Sequence, residues 1–156
     1  MKKGIALMLV SLMLVACEPA DVTKLLTAPE KQATAIKRNL NPEQLSRGAV
    51  LFEQNCAECH GAQGQGAQDW QKPDKNGKFL PPPLNGLGHT WHHPMAVLTY
   101  TIKNGTGKIG GNMPAFAGKL TGAQIEDILV FVQAKWPEPI YEAWYRTDEM
   151  ARNTNK

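Results

Sequence analysis

Residues 55–61 read NCAECHG, and this short stretch decides how the rest of the chain is interpreted. The 156-residue sequence contains three cysteines. Two of them, Cys56 and Cys59, lie here, and His60 follows the second directly. A single close pair is too few for a disulfide framework, so the pair is expected to serve a site. The spacing puts the two thiols about one helical turn apart.

Cys-x-x-Cys-His is the attachment signature of c-type haem. The two thiols can each add to one vinyl group on a porphyrin edge. The imidazole that follows is then held beneath the iron as an axial ligand. The sequence therefore predicts one haem c (iron) per chain, with Cys56 and Cys59 as its covalent attachment points and His60 as a ligand to the metal.

Two other interpretations of the cysteine pair stay open. A zinc site needs four ligands, and His89, His92 and His93 are available to complete one. A thiol–disulfide site of the thioredoxin kind needs a βαβ context, whereas the sequence shows no alternation typical of strands.

The N-terminus has the features of a bacterial secretory signal. Two lysines precede residues 5–16, an apolar run in which Ser11 alone is polar. The run is shorter than the roughly 20 residues that a helix needs to span a bilayer. Residues 14–17, LVAC, resemble the lipobox, so we expect cleavage before Cys17 and lipidation of its thiol. The alternative is an ordinary signal with an incidental cysteine.

We divide the chain into a signal peptide (1–16), a lipid-anchored tether (17–40), a haem-binding domain (41–136) and a C-terminal extension (137–156). The tether is expected to be a polar coil, although a helix docked on the domain is an alternative. Removal of the two signal lysines leaves 15 basic and 14 acidic side chains, a balance of +1. No basic face is implied, which argues against a nucleic-acid partner.

Helix signals recur through the domain, so the predicted fold class is all-α. Helices are expected to begin at Asn41, Pro94 and Thr121, the first and last of them with side-chain caps, and a fourth helix is expected within 140–150. The side chains predicted to pack that last helix against the domain are Tyr141, Trp144 and Tyr145. With 14 glycines and 11 prolines, long loops leave a thin core that a bound haem would fill.

The stretch 41–136 resembles a class I cytochrome c. In that family a small residue and an aromatic residue four positions later precede the haem motif, as Gly48 and Phe52 do here. A Pro-Leu pair follows the motif, a Met-Pro pair precedes the last helix, and an aromatic residue of that helix meets the small residue. The matching positions are Pro83-Leu84, Met113-Pro114, and Phe131 or Trp136. One departure is the 22-residue interval between His60 and Pro83.

The resemblance implies a second axial ligand, and Met113 is our prediction for it. The flanking Gly110-Gly111 and Pro114 let the backbone approach a ring and then fix its shape. The rival ligands are the three histidines, His89, His92 and His93.

The resemblance also implies supporting roles around the haem. The carbonyl of Pro83 is expected to accept the Nδ1–H of His60, and Leu84 and Phe116 are expected to form walls of the pocket. The indole N–H of Trp91 is expected to reach a haem propionate; the alternative is an indole bonded to the backbone.

A haem with both axial positions filled by His60 and Met113 has no open position for a substrate, so we expect an electron carrier and not an enzyme. The predicted function is single-electron transfer between a redox-protein donor and acceptor that face the periplasm. The protein would be held at the outer (or inner) membrane by the lipid on Cys17. The alternatives are a haem sensor or small-ligand binder with a displaceable Met113, and a peroxidase-like enzyme.

Overall fold

The structure is a computed structural model that describes residues 36–38 and 40–154. The predicted signal peptide and the lipidated Cys17 lie outside the described residues. The described residues form five α-helices and two short 3₁₀ helices. The α-helices are α1 (Pro42–Asn55), α2 (Ala57–His60), α3 (Met95–Asn104), α4 (Gly122–Ala134) and α5 (Glu138–Thr154). The 3₁₀ helices are Thr90–His92 and Gly107–Ile109.

Isolated bridges are the sole β-type pairing in the described part of the chain, which confirms the all-α prediction. None of the helices in that part is both long enough and apolar enough to cross a membrane.

The predicted helix caps are present. The side chain of Asn41 accepts hydrogen bonds from the backbone N–H groups of Glu43 at 2.9 Å and Gln44 at 3.1 Å. Thr121 and Gln124 form both halves of a capping box at the start of α4. These bonds satisfy N–H groups that a helix leaves without internal partners, so both helices begin where the sequence predicts.

Helices α1 and α4 cross at Gly48. A Cβ atom added to this residue would lie 2.1 Å from the carbonyl oxygen of Asp127 and 2.8 Å from the Cβ of Phe131. The rings of Phe52 and Phe131 lie 5.3 Å apart beside the crossing. The aromatic residue that meets the small residue of the first helix is therefore Phe131, and Trp136 has a different role, described below.

We expect Gly48→Ala to destabilise the domain, because the new methyl group must push two helix backbones apart. Overpacking of this kind costs about 1–3 kcal/mol of unfolding free energy. Chemical denaturation of the holoprotein measures the loss. Gly122→Ala is the matched control, since a Cβ there meets no atom within 4 Å. Equal stability of the two variants would show that the crossing tolerates a side chain.

Within the described part of the chain, the core has two clusters of buried apolar side chains. The larger contains Phe52, Ile128, Val132, Trp136, Tyr141 and Trp144, and the smaller contains Leu98, Ile125 and Leu129. Two members of the larger cluster belong to α5, and Tyr145 packs against it. The prediction that the C-terminal extension forms a helix packed on the domain is confirmed, and the helix is longer than expected at 17 residues.

The end of the predicted tether packs on the same helix. Ile36 lies against the larger cluster. Arg38 places its guanidinium 4.3 Å from the ring centre of Tyr141 and its Nε 3.0 Å from Glu138 Oε2. Its side chain is 13 % exposed. Packed structure therefore begins before residue 41, because this arginine has a ring and a carboxylate to contact on α5.

Candidate haem-binding site

The Cys-x-x-Cys-His motif forms one turn of helix at the end of α1. The backbone N–H groups of Cys59 and His60 donate to the carbonyl oxygen of Cys56 at 3.2 and 2.9 Å. Both thiols are free; Cys56 is half-buried and Cys59 is exposed. The predicted one-turn spacing of the thiols is confirmed, and His60 lies buried at its end.

The structure gives little support to the two alternative uses of these thiols. Burial, with a smaller contribution from Cys59, raises the pKa of Cys56 to about 11, which makes it a poor nucleophile for disulfide exchange. The described residues also lack the strands of a βαβ unit. Among residues 36–38 and 40–154, no three or more His, Cys, Asp or Glu side chains are grouped to hold a metal ion such as zinc.

The orientation of His60 fixes which of its nitrogens is available. Nδ1 lies 2.8 Å from the carbonyl oxygen of Pro82. Because a carbonyl can only accept, Nδ1 carries the proton and Nε2 keeps a free lone pair. Burial lowers the pKa of His60 more than the bond to Pro82 raises it, so the ring stays neutral. A neutral imidazole with a free Nε2 is the form that binds iron.

The prediction that Pro83 accepts from His60 is wrong by one residue: Pro82 does so. The carbonyl of Pro83 instead faces Gly88, where an added Cβ would lie 2.3 Å from it. Residues 81–83 are all proline. Their identical side chains give the sequence no signal for which carbonyl points at the imidazole.

The 22-residue interval is a loop that folds back on the motif. The N–H of Gly66 donates to the carbonyl of His60 at 2.8 Å, and that of Leu84 donates to Gly64 at 2.7 Å. Phe79 then donates to Gly110 at 3.0 Å. The loop therefore links the haem motif to the region of Met113.

The other residues that were predicted to line the haem pocket lie in three different environments. Phe116 is buried, and Leu84 packs against the larger core cluster. The indole N–H of Trp91 donates to the carbonyl of Gly88 at 3.0 Å. In the structure, therefore, the indole of Trp91 is bonded to the backbone, which is the alternative to the predicted contact with a haem propionate. The contacts of Leu84 and Phe116 with a haem remain predictions.

Met113 lies half-buried in a loop whose backbone is fixed by Thr106. The N–H of Thr106 donates to the carbonyl of Met113 at 3.0 Å, and Thr106 Oγ1 accepts from the N–H of Met113 at 3.0 Å. A Cβ at Gly105 would lie 2.5 Å from the Met113 carbonyl oxygen. The tight loop is suited to hold a thioether in one place, and the ligand role of Met113 remains a prediction.

The rival histidines take part in aromatic contacts. His89 stacks on Trp70 at 5.3 Å and meets His93 edge-on at 5.6 Å. His92 contacts Trp91, with ring centres 3.8 Å apart. His89 and His92 are exposed residues, whereas His60 is buried.

The residues fit a haem c by their chemistry. Two thiols one turn apart suit the two porphyrin vinyl groups, and a buried neutral imidazole with a free Nε2 suits the iron. An all-α domain with this site is a c-type cytochrome.

The family model described as "Cytochrome C oxidase, cbb3-type, subunit III" matches residues 43–132, more than half of the chain. The chain therefore belongs to this cytochrome c family, whose members bind covalent haem c and transfer electrons. This confirms the resemblance and the cofactor predicted from the motif.

Curated relatives include larger and smaller proteins. The chain is 35 % identical over 104 residues to the cbb3-type cytochrome c oxidase subunit FixP of Azorhizobium caulinodans, covering 60 % of this chain and 31 % of that protein. It is 31 % identical over 88 residues to cytochrome c6 of Bumilleriopsis filiformis, covering 56 % and 87 %. A 1-butanol dehydrogenase (cytochrome c) of Thauera butanivorans matches at 33 % over 92 residues, covering 59 % and 11 %. No solved structure matches.

Proposed function

We propose that this chain is a monohaem electron carrier that shuttles single electrons between redox proteins facing the periplasm. The observation that carries the proposal is the buried His60 ring, whose Nδ1 proton is held by the Pro82 carbonyl while Nε2 stays free, in the same helical turn as two free thiols. One Cys-x-x-Cys-His motif in the sequence supports a single haem. The match to cytochrome c6, most of whose length the chain covers, supports a carrier in preference to an enzyme.

Four residues of the chain would hold the haem, in three different ways. When bound, the haem supplies an Fe(III)/Fe(II) couple. Cys56 and Cys59 prevent its loss by covalent links, and His60 presents a neutral nitrogen of fixed orientation. Met113, in its loop fixed by Thr106, would supply the second ligand to the iron and would so leave no place for a substrate.

The proposed partners are a redox-protein donor and acceptor. The relatives named as subunits of cbb3-type oxidases and as a cytochrome-containing butanol dehydrogenase each carry a similar segment within a longer protein. The chain spans about a third or less of those proteins. We therefore propose that this chain exchanges electrons with another redox protein, and we assign it no particular oxidase or dehydrogenase activity.

Location at a membrane is proposed from the sequence. The N-terminal signal and the lipobox-like residues 14–17 support export and a lipid on Cys17, with the outer membrane as first choice and the inner membrane as second. A periplasm-facing carrier held this way would exchange electrons with partners at or near the same membrane.

The proposal predicts a one-electron redox titration with one haem per chain, and a ferrous spectrum that carbon monoxide leaves unchanged. Carbon monoxide needs an open or readily vacated position on the iron, and the proposed Met113 ligand denies it one. Pyridine-haemochrome analysis gives the haem content, and the spectrum is recorded with and without the gas. A prompt spectral change with carbon monoxide would favour the sensor or ligand-binding alternative.

A further inference from the structure

The carbonyl that accepts from His60 and the start of α3 are joined by residues 82–95, which we call the 82–95 segment. The C-terminal part of the chain contacts this segment at four places. The first is the indole N–H of Trp136, which donates to the carbonyl of Leu84 at 2.8 Å. The second is the close approach of Gly86 to Pro137, where an added Cβ would lie 2.9 Å from Pro137 Cδ.

The other two contacts come from α5. The indole N–H of Trp144 donates to the carbonyl of His93 at 3.1 Å. Asp148 Oδ1 accepts the backbone N–H of Met95 at 2.8 Å. Pro94, the N-cap of α3, makes no side-chain cap, so the carboxylate of another helix takes that place. Trp144 and Asp148 are each 5 % exposed, so both bonds lie in the protein interior.

The contacts reach His60 through a short and stiff stretch of backbone. Leu84 lies two residues from Pro82, and the ring of the intervening Pro83 fixes the φ angle of that residue. Trp136 is 2 % exposed and meets Trp144 edge-on, with ring centres 5.7 Å apart. Movement of the Leu84 carbonyl is therefore passed to the Pro82 carbonyl, which lies 2.8 Å from His60 Nδ1.

We infer that Trp136, Trp144 and Asp148 are positioning residues that hold the Pro82 carbonyl against His60, and that they thereby set the reduction potential. The inference rests on the proposed function, because it takes His60 as an iron ligand. All three residues lie outside residues 43–132, the part that the family model matches. The residues after position 132 would thus add a control on the site that the matched part alone does not contain.

The direction of the effect follows from the hydrogen bond. A carbonyl that accepts the Nδ1 proton makes Nε2 a stronger donor to iron. A stronger donor favours the ferric state and lowers the potential. Loosening the 82–95 segment weakens this bond, so the midpoint potential is expected to rise.

The test uses Trp136→Phe and Trp144→Phe in the haem-loaded protein. Each variant keeps an aromatic ring in the core and removes one N–H donor. NMR of the ferrous protein measures hydrogen exchange of the His60 Nδ1 proton, and redox titration gives the potential. We expect about fivefold faster exchange, the factor that one hydrogen bond is worth, together with a higher potential. Trp136→Phe should have the larger effect because it lies nearer to Pro82.

Asn41→Ala is the control, since it removes the cap of α1 at an exposed position and lowers global stability without touching the 82–95 segment. The inference is wrong if both tryptophan variants exchange no faster than this control and keep the wild-type potential. Asp148→Asn is a milder third variant for the case that a tryptophan variant takes up no haem. It should shift both quantities in the same direction. A wild-type His60 ring without the resonance shifts of an iron-bound imidazole would instead contradict the proposed function itself.

Discussion

A variant in which both Cys56 and Cys59 are serine is expected to lose all covalently bound haem. The hydroxyl of serine does not form the thioether links. In the structure both thiols are free and belong to no disulfide. The protein should then lack the added mass of a porphyrin after denaturation and give no haemochrome spectrum in the protein fraction. It should also unfold more easily, because the apolar ring no longer completes a core built from two small clusters.

Three single variants make this result specific. Cys17→Ser changes the third cysteine in the same way and is expected to keep the full haem content while losing lipid and membrane association. Either single variant, Cys56→Ser or Cys59→Ser, leaves one thioether position. Mass spectrometry of the exported proteins distinguishes these cases. A double variant that still carries covalent haem would contradict the attachment site.

Met113→Ala is expected to lower the midpoint potential by a sizeable part of the ~0.8 V span that axial ligands cover in haem proteins. A thioether raises the potential because it favours ferrous iron, and alanine offers no ligand atom. The vacated position should also let carbon monoxide bind to the ferrous protein. Redox titration and absorption spectra with and without the gas measure the two effects.

Met150→Ala provides the comparison, because Met150 is 63 % exposed near the end of α5 and has no predicted role at the site. It should leave the potential and the spectra at their wild-type values. If Met113→Ala also leaves both unchanged, another side chain is the ligand. The histidines of the 89–93 stretch would then be the next candidates.

Helix positions were predictable from sequence because their signals are local. Asn41 caps α1 through the N–H groups of the next turn, and Thr121 forms its capping box with a residue three positions away. Each of these inferences uses interactions within one turn or one helix.

Contacts between distant residues were not predictable in the same way. Arg47 binds Asp127 through two hydrogen bonds of 2.8 and 3.2 Å across the α1–α4 crossing, although 80 positions separate them. Neither residue belongs to a motif, and charged residues on helices usually face solvent. The docking of Arg38 on α5 was missed for the same reason.

The sequence by itself determined the haem motif, the helical fold class and the one-turn spacing of Cys56, Cys59 and His60, since all of these depend on neighbours along the chain. The tertiary structure alone decided that Pro82 and not Pro83 holds the imidazole, and that the indole of Trp136 bonds the Leu84 carbonyl. The physical reason is that these bonds depend on how a long loop and two separate helices come together. Three successive prolines and an isolated tryptophan carry no local signal of their partners.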